Sequence, residues 1–237
     1  MSPRSLRSWW RALEAVPGQE AVEREWRALL GEDFPVVRRW LTPTGTLARS
    51  LPPEPSDEWS PRARVVRHAD GGFVAVCDET DESQVVTRAD LALWRPVWTA
   101  VVEALRRGLR LTGAPQDLVP RGVRLLGEFP LTDDRTVSVH LVVVSTPAAF
   151  AAAVRSLLLA RPDPSLVLVP TGRFADAALR DLLAARHWSL VELDEKIGLG
   201  PDDRLIAEGG PEALVAELRR RVGAVIDAEP ANLLRRD

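Results

Sequence analysis

Apolar positions in the second half of the chain switch repeatedly between strand and helix patterns. Val123–Phe129 and Val137–Val144 flank a polar turn, which is typical of an antiparallel hairpin. Ser165–Val169 and Ser189–Leu193 are short apolar strands that helical patterns separate. Strands and helices that alternate with short connections predict parallel strands joined by right-handed crossovers. We therefore expect an α/β fold, with a Rossmann-like three-layer domain over residues 118–227 that begins with this hairpin.

Capping residues mark the helices of this domain. Thr146 can accept the first free amide of a helix, and Pro147 suits the first helical position. A second helix is predicted over Phe174–Arg186 and a last one over Pro211–Val222. Between them, Arg204–Ala207 is predicted to close the sheet as an edge strand.

The first half of the chain begins with a helical pattern and continues into a proline-rich stretch. Apolar residues recur at helical spacing through residues 4–41, so we predict a helical N-terminal segment over residues 1–50. The five prolines between residues 42 and 61 exclude a regular helix or a central strand. Residues 51–61 are therefore predicted to be a linker that lies across a surface.

A β-hairpin follows the proline-rich stretch. Arg64–His68 and Phe73–Cys77 are short alternating runs, and an Asp-Gly-Gly sequence between them tolerates the positive φ of a tight turn. Val85–Thr87 adds a third predicted strand after an acidic turn.

Two helices are predicted after the hairpin. Thr87 and Asp90 have the spacing of a capping box, which predicts a short helix that ends at Pro96. Val97–Leu109 has one apolar face and predicts an amphipathic helix. Hairpin and helices together form a predicted unit over residues 62–112.

Composition places the chain among folded proteins without a general affinity for polyanions. The chain has 237 residues, 46% of them hydrophobic, and a formal net charge of −3. That balance excludes disorder, and it gives no electrostatic footprint for nucleic acid or an anionic membrane.

Cys77 is the single cysteine, which fits a reducing compartment. The arginine-rich, lysine-poor usage is typical of a GC-rich bacterial genome. We expect a cytoplasmic protein, because the sequence has neither a secretory signal nor an apolar run long enough to span a bilayer.

Motifs that carry known chemistry are absent from the sequence. There is no phosphate-binding glycine loop, no GxGxxG, no GxSxG, no CxxC and no HExxH. We therefore predict no catalytic residue, no metal ligand and no cofactor. His140 lies among valines on a predicted strand, and we interpret it as a core or edge histidine satisfied by one hydrogen bond.

The ends of the predicted parallel strands give one candidate ligand site. Ligands of open α/β sheets collect outside the carboxyl ends of such strands. Helix amides together with an arginine suit a phosphate or a carboxylate. The alternative is that the threonines cap helices and that the charged groups are solvated. The candidate residues are Thr146, Thr171, Arg173, Asp194 and Lys196.

The same region permits a nuclease hypothesis. Metal-dependent nucleases of the restriction type place an acidic residue two positions before a lysine on a strand. Asp194 and Lys196 have this spacing, and Glu128 is the nearest further acid. Carboxylates are sparse here, and two-metal chemistry needs several that converge.

Two arginine-rich segments are candidate contact surfaces. Arg106, Arg107 and Arg110 lie on the Val97–Leu109 helix or at its end, and they suit either phosphate contacts or a solvated face. Arginine and tryptophan are enriched in interface hot spots, so the N-terminal helical segment is predicted to dock on a partner. Its candidate contact residues are Trp9, Trp10 and Trp26.

Three sequence stretches together resemble a group of bacterial proteins that have no established activity. They read DGGFVAVC, TRADLALW and LVLVPTGR, in this order. Members of that group often have further cysteines near the hairpin and a strand end similar to LTPTR, whereas only Cys77 stands at the hairpin here. The resemblance spans about residues 60–208 and implies the domain order given above.

The leading functional hypothesis is a non-catalytic binding or regulatory module that acts through a protein partner. It would belong to a nucleic-acid-handling or bacterial defence assembly. The alternative is a domain that uses its strand-end cleft, either to bind a small molecule or phosphate or for metal-dependent, nuclease-like hydrolysis.

Overall fold

A computed structural model describes residues 3–52, 62–130, 135–161, 163–200 and 205–207, together with Ala216 and Arg220. The chain is a mixed α/β protein that divides into two compact units. The large unit comprises Met1–Ala15 and Thr99–Asp237, and the small unit comprises Val16–Trp98. These units divide the chain differently from the segments predicted above, because the N-terminal segment contributes its first helix to the large unit and the rest to the small one. Most of the predicted linker and most of the predicted last helix lie outside the described residues.

The helices in chain order are α1 Arg7–Ala15, α2 Glu23–Leu30, α3 Phe34–Val37, α4 Trp98–Leu109, α5 Pro147–Ala160, α6 Ala177–Ala185 and α7 Leu193–Lys196. The strands are β1 Arg4–Ser5, β2 Ala21–Val22, β3 Leu41–Leu47, β4 Ser50–Leu51, β5 Ala63–Arg67, β6 Phe73–Val76, β7 Ser83–Val86, β8 Ala92–Pro96, β9 Gln116–Leu118, β10 Val123–Pro130, β11 Thr136–Val142, β12 Ser165–Val169, β13 Ser189–Glu192, β14 Ile197–Leu199 and β15 Leu205–Ala207.

The main sheet of the large unit has the strand order β13-β12-β11-β10-β9. Strands β11, β12 and β13 are parallel, and β10 pairs antiparallel with both β11 and β9. The predicted hairpin and the predicted parallel strands are therefore confirmed. Every residue of β12 is buried, as expected of a parallel strand that is covered on both faces.

A single apolar layer lies between this sheet and the helices α5 and α6. Thr146 caps α5 by accepting a hydrogen bond from the amide of Ala149 at 3.2 Å, and Pro147 follows as the first helical residue. The helix predicted to begin near Phe174 begins at Ala177 instead, because Asp176 is its cap. The layer consists mainly of Val142, Val144, Phe150, Val154, Leu157, Val167, Val169, Leu179, Leu183 and Trp188.

A separate three-stranded sheet in the large unit has the order β1-β14-β15. Residues 205–207 were predicted to form an edge of the main sheet, and that prediction is wrong. Strand β15 instead pairs antiparallel with β14, which closely precedes it in the sequence. Strand β1 pairs antiparallel with the other edge of β14. Its backbone passes so close to Gly198 that a Cβ atom there would collide with the carbonyl oxygen of Arg4.

The small unit contains the predicted hairpin within the sheet β4-β5-β6-β7. All neighbouring strands in this sheet are antiparallel, and the third predicted strand is β7. A second sheet has the order β2-β8-β3. The proline-containing strand β3 is at its edge, as the proline rule requires, although residues 41–47 were predicted to lie in a helical segment.

The helix predicted between Thr87 and Pro96 is absent from the small unit. The capping contacts do form, since the Thr87 hydroxyl donates to Asp90 Oδ2 at 2.6 Å and the Asp90 amide donates to Thr87 Oγ1 at 3.3 Å. They close a single turn, after which Ala92–Pro96 runs as the central strand β8 between β2 and β3. Pairing on both edges outweighs the local helical signal.

Candidate functional site

The turn that follows β12 binds a carboxylate of the chain itself. The amide of Thr171 donates to Glu14 Oε1 at 3.2 Å, and the Thr171 hydroxyl donates to Glu14 Oε2 at 2.6 Å. Arg173 Nε forms an ion pair with the same Oε2 at 2.9 Å. The side chain of Glu14 is only 3% exposed. Of the five predicted residues, Thr171 and Arg173 therefore meet at one carboxylate, which comes from helix α1.

Burial and a neighbouring acid shape the charge of this cluster. Burial raises the pKa of Glu14 above its usual value, whereas the bonds from Thr171 and the charge of Arg173 oppose that rise. The pKa of Asp194 is also raised, first by burial and then by the charge of Glu195. The Asp194 charge contributes to the rise at Glu14, so the two acids lie within electrostatic reach. The cluster therefore favours a protonated acid more than an exposed surface would.

The other residues predicted at the strand ends lie in helices or cap them. The Thr146 side chain caps α5, which agrees with the alternative interpretation given for it. Asp194 and Lys196 lie in the single helical turn α7 rather than on a strand. Residues two apart on a helix point to different sides, so this pair does not form the strand motif of the nuclease hypothesis. Among the described residues, no group of three or more His, Cys, Asp or Glu side chains could hold a metal ion.

Glu14 is the residue of this cluster that sequence reasoning missed. It follows Trp10 by four positions in α1, and both side chains are buried. A carboxylate on the apolar face of a helix needs a buried partner. The position of Glu14 four residues after Trp10 was the available signal that a carboxylate is buried. It did not identify the partner, because Thr171 is 157 residues away in sequence.

The predicted nucleic-acid contacts are partly used inside the large unit. Arg106 donates to the carbonyl oxygens of Leu126 at 2.8 Å and Gly113 at 2.5 Å, and its side chain is only 15% exposed. Arg107 pairs with Glu103 at 3.4 Å. Arg110 ends the helix with a φ of 55°. Arg106 therefore secures α4 to the backbone around it, whereas Arg107 and Arg110 are exposed.

The predicted tryptophan contacts are buried, which corrects the expectation that they face a partner. Trp9, Trp10 and Trp26 each have 0% exposure. Trp10 Nε1 donates to the carbonyl of Ile197 at 3.2 Å, and Trp26 Nε1 donates to that of Trp94 at 3.0 Å. Their large apolar area therefore contributes to the core.

Strand β7 gives the small unit an exposed edge with an apolar face. It is the last strand of its sheet, and within the described residues only β6 pairs with it. Val66, Val74 and Val85 stand opposite one another on β5, β6 and β7. The first two are half-buried, whereas Val85 is 83% exposed. The outer face of this sheet therefore carries a valine row that ends at the open edge.

His140 lies in the apolar layer beneath α5 and α6. It is fully buried, and its ring stacks on that of Trp188 with centroids 5.6 Å apart. The prediction of one hydrogen bond is wrong, because neither ring nitrogen has a partner among the described residues. Burial, with a smaller effect from the Arg161 charge, lowers the pKa of His140 to about 4.

Comparisons with protein-family models, with curated proteins and with solved structures found no match. None of the helices in the described part of the chain has the length and apolar character needed to cross a bilayer.

Proposed function

We propose that this chain is a non-catalytic binding module, and that its small unit binds an extended segment of a protein partner along strand β7. The observation that carries the proposal is the exposed edge of β7 with Val85 at 83% exposure. A strand edge of this kind is a template for adding a further strand.

The hydrogen-bond alternation of the sheet identifies the groups that would hold the partner. The amide of Cys77 donates to the carbonyl of Glu82 at 2.9 Å. Bonded and non-bonded pairs alternate along an antiparallel ladder, so the next bonded residue of β7 is Gln84. Ser83 and Val85 then direct their amides and carbonyls toward the open edge. A partner strand would pair with these two residues.

The surroundings of β7 favour a basic partner with apolar residues. The turn before β7 contains Asp78, Glu79, Asp81 and Glu82, of which Asp78 pairs with Arg64 at 3.4 Å. This excess of acid attracts lysine or arginine. The valine row favours an apolar side chain at alternate positions, since alternate residues of an added strand lie on one face of the sheet.

Synthetic peptides test the proposal directly. The probes are eight-residue peptides that alternate valine with lysine, and a matched set that alternates valine with glutamate. We expect the lysine set to bind more tightly in fluorescence anisotropy and to shift the amide resonances of Ser83 and Val85. Ser83→Pro removes an outward amide at a position where an edge strand tolerates proline. Val85→Ser removes the exposed apolar contact.

Both variants are expected to weaken binding at least about tenfold, which corresponds to about 1.4 kcal/mol. Val119→Ser is the matched control, because Val119 is an equally exposed valine at 89% and lies outside the sheet of β7. Absence of peptide binding contradicts the proposal, and so does binding that neither β7 variant weakens.

The finer expectations from the sequence belong to the same proposal. We propose a cytoplasmic setting, supported by the single cysteine, and a partner within a nucleic-acid-handling or bacterial defence assembly. We also propose that the fold of the large unit is Rossmann-like. Its three parallel strands, which α5 and α6 separate in the sequence, support this proposal.

A further inference from the structure

We propose that Thr171 and Arg173 form a carboxylate-binding site in the large unit, with Glu14 as its resident internal ligand. A carboxylate from a small acid or a peptide would take the place of Glu14. This inference is independent of partner binding at β7.

The donors match a planar carboxylate. The Thr171 amide reaches Oε1 of Glu14, while the Thr171 hydroxyl and Arg173 Nε both reach Oε2. Three donors from one short turn thus hold two oxygens of one group. Charge-assisted bonds of this kind are about twice as strong as neutral ones, and here they offset part of the cost of burying a carboxylate.

The turn is held in place by bonds that do not involve Glu14. The amide of Arg173 donates to Thr171 Oγ1 at 3.3 Å, and the Asp194 amide donates to the carbonyl of Pro170 at 3.0 Å. Arg180 donates to the carbonyls of Ala175 at 3.0 Å and Gly172 at 3.4 Å. These bonds hold the backbone of the turn, so we expect the Thr171 amide to keep its direction when the carboxylate leaves.

Gly172 allows a further ion pair to pack against this turn. Arg180 and Glu192 meet at 2.7 Å, and a Cβ atom at position 172 would collide with the carboxylate of Glu192. This ion pair therefore gives the turn a further contact that does not involve Glu14.

Entry of a ligand requires Glu14 to leave the turn after β12. The side chain of Arg173 is 43% exposed, and its guanidinium lies over the ring of Phe174 at 4.4 Å. Glu14 is on the last turn of α1, one residue before the helix ends. Helix ends fray most readily, so we expect the release of Glu14 to begin with the opening of that turn.

The variant Glu14→Ala tests whether the site exists without its internal ligand. The atoms removed from Glu14 correspond to one molecule of acetate. The full-length variant is titrated with sodium acetate, sodium chloride and inorganic phosphate at equal ionic strength, and the melting temperature is measured. We expect acetate to raise it with the logarithm of its concentration above the dissociation constant, by about 3 °C at ten times that constant, and the other two salts to do less.

Two control proteins separate the site from a general salt effect. The double variant with Glu14→Ala and Thr171→Val should lose the acetate-specific rise, because it has no hydroxyl donor. The unaltered chain should show a smaller acetate-specific rise in melting temperature than Glu14→Ala, because acetate must first displace Glu14. If Glu14→Ala does not fold in chloride, recovery of folded protein in acetate becomes the measurement. An absent acetate effect, or one that persists without the hydroxyl, overturns the site.

Hydrogen exchange on the unaltered chain tests replacement of Glu14. At high acetate the amides of residues 13–15 are expected to exchange faster than in chloride, because the last turn of α1 is released. Equal exchange in the two salts would show that Glu14 is a fixed structural partner and would overturn the replacement.

Discussion

His140 makes the stability of the large unit depend on pH in a calculable way. The pKa of this buried ring is lowered from 6.5 to about 4, mainly because burial penalises the imidazolium. As the pH falls below about 6.5, the unfolded chain takes up a proton that the folded chain refuses until about pH 4. The unfolded state is therefore favoured progressively over this window. One pKa unit corresponds to about 1.4 kcal/mol, so the full loss is about 3 kcal/mol below pH 4, with about 2 kcal/mol reached by pH 5.

Urea unfolding at pH 7.5 and pH 5, followed by circular dichroism, measures this loss in the wild type and in His140→Leu. The variant should lose about 2 kcal/mol less than the wild type between the two pH values. It should also be at least as stable at pH 7.5, because leucine removes two buried nitrogens that have no partner among the described residues. Glu14 and Asp194 have raised pKa values and stabilise the fold as the pH falls. They are present in both proteins, so their effect cancels in the comparison.

His68→Gln is the matched control, because His68 is an exposed histidine in the hairpin of the small unit. It should follow the wild type at both pH values. An equal loss of stability in the wild type and His140→Leu would refute the argument, since the pH dependence would then originate elsewhere. A proton resonance of the His140 ring that titrates near pH 6.5 in the folded protein would refute it as well.

Three further substitutions test the packing of the large unit by urea unfolding. Gly127→Ala should cost about 3 kcal/mol, because this residue has a φ of 140° and a Cβ atom there would collide with the carbonyl oxygen of Thr112. Gly113→Ala, at a φ of 72° with open space around it, should cost only about 1 kcal/mol, and equal losses would show that the collision is relieved. Trp10→Phe should cost about 1–2 kcal/mol by leaving the carbonyl of Ile197 without its indole donor, and an unchanged unfolding midpoint would contradict that role.

Local chemistry in the sequence determined the elements whose signals lie close together. Thr146 and Pro147 start α5 because a cap and a proline act on the amides next to them. The hairpin of β5 and β6 follows from its turn residues and its alternating pattern. The apolar composition of β12 likewise indicated a strand buried on both faces.

Tertiary structure decided which groups from distant parts of the chain meet. The Thr87 and Asp90 cap formed as predicted, but the residues after it became β8 because strands on both sides offered pairing. The arginine and threonine after β12 suggested an anion, and only the folded chain supplies Glu14 as that anion from 157 residues away. A hydrogen bond or an ion pair depends on distance in space, and spacing along the sequence fixes that distance only within one element or one turn.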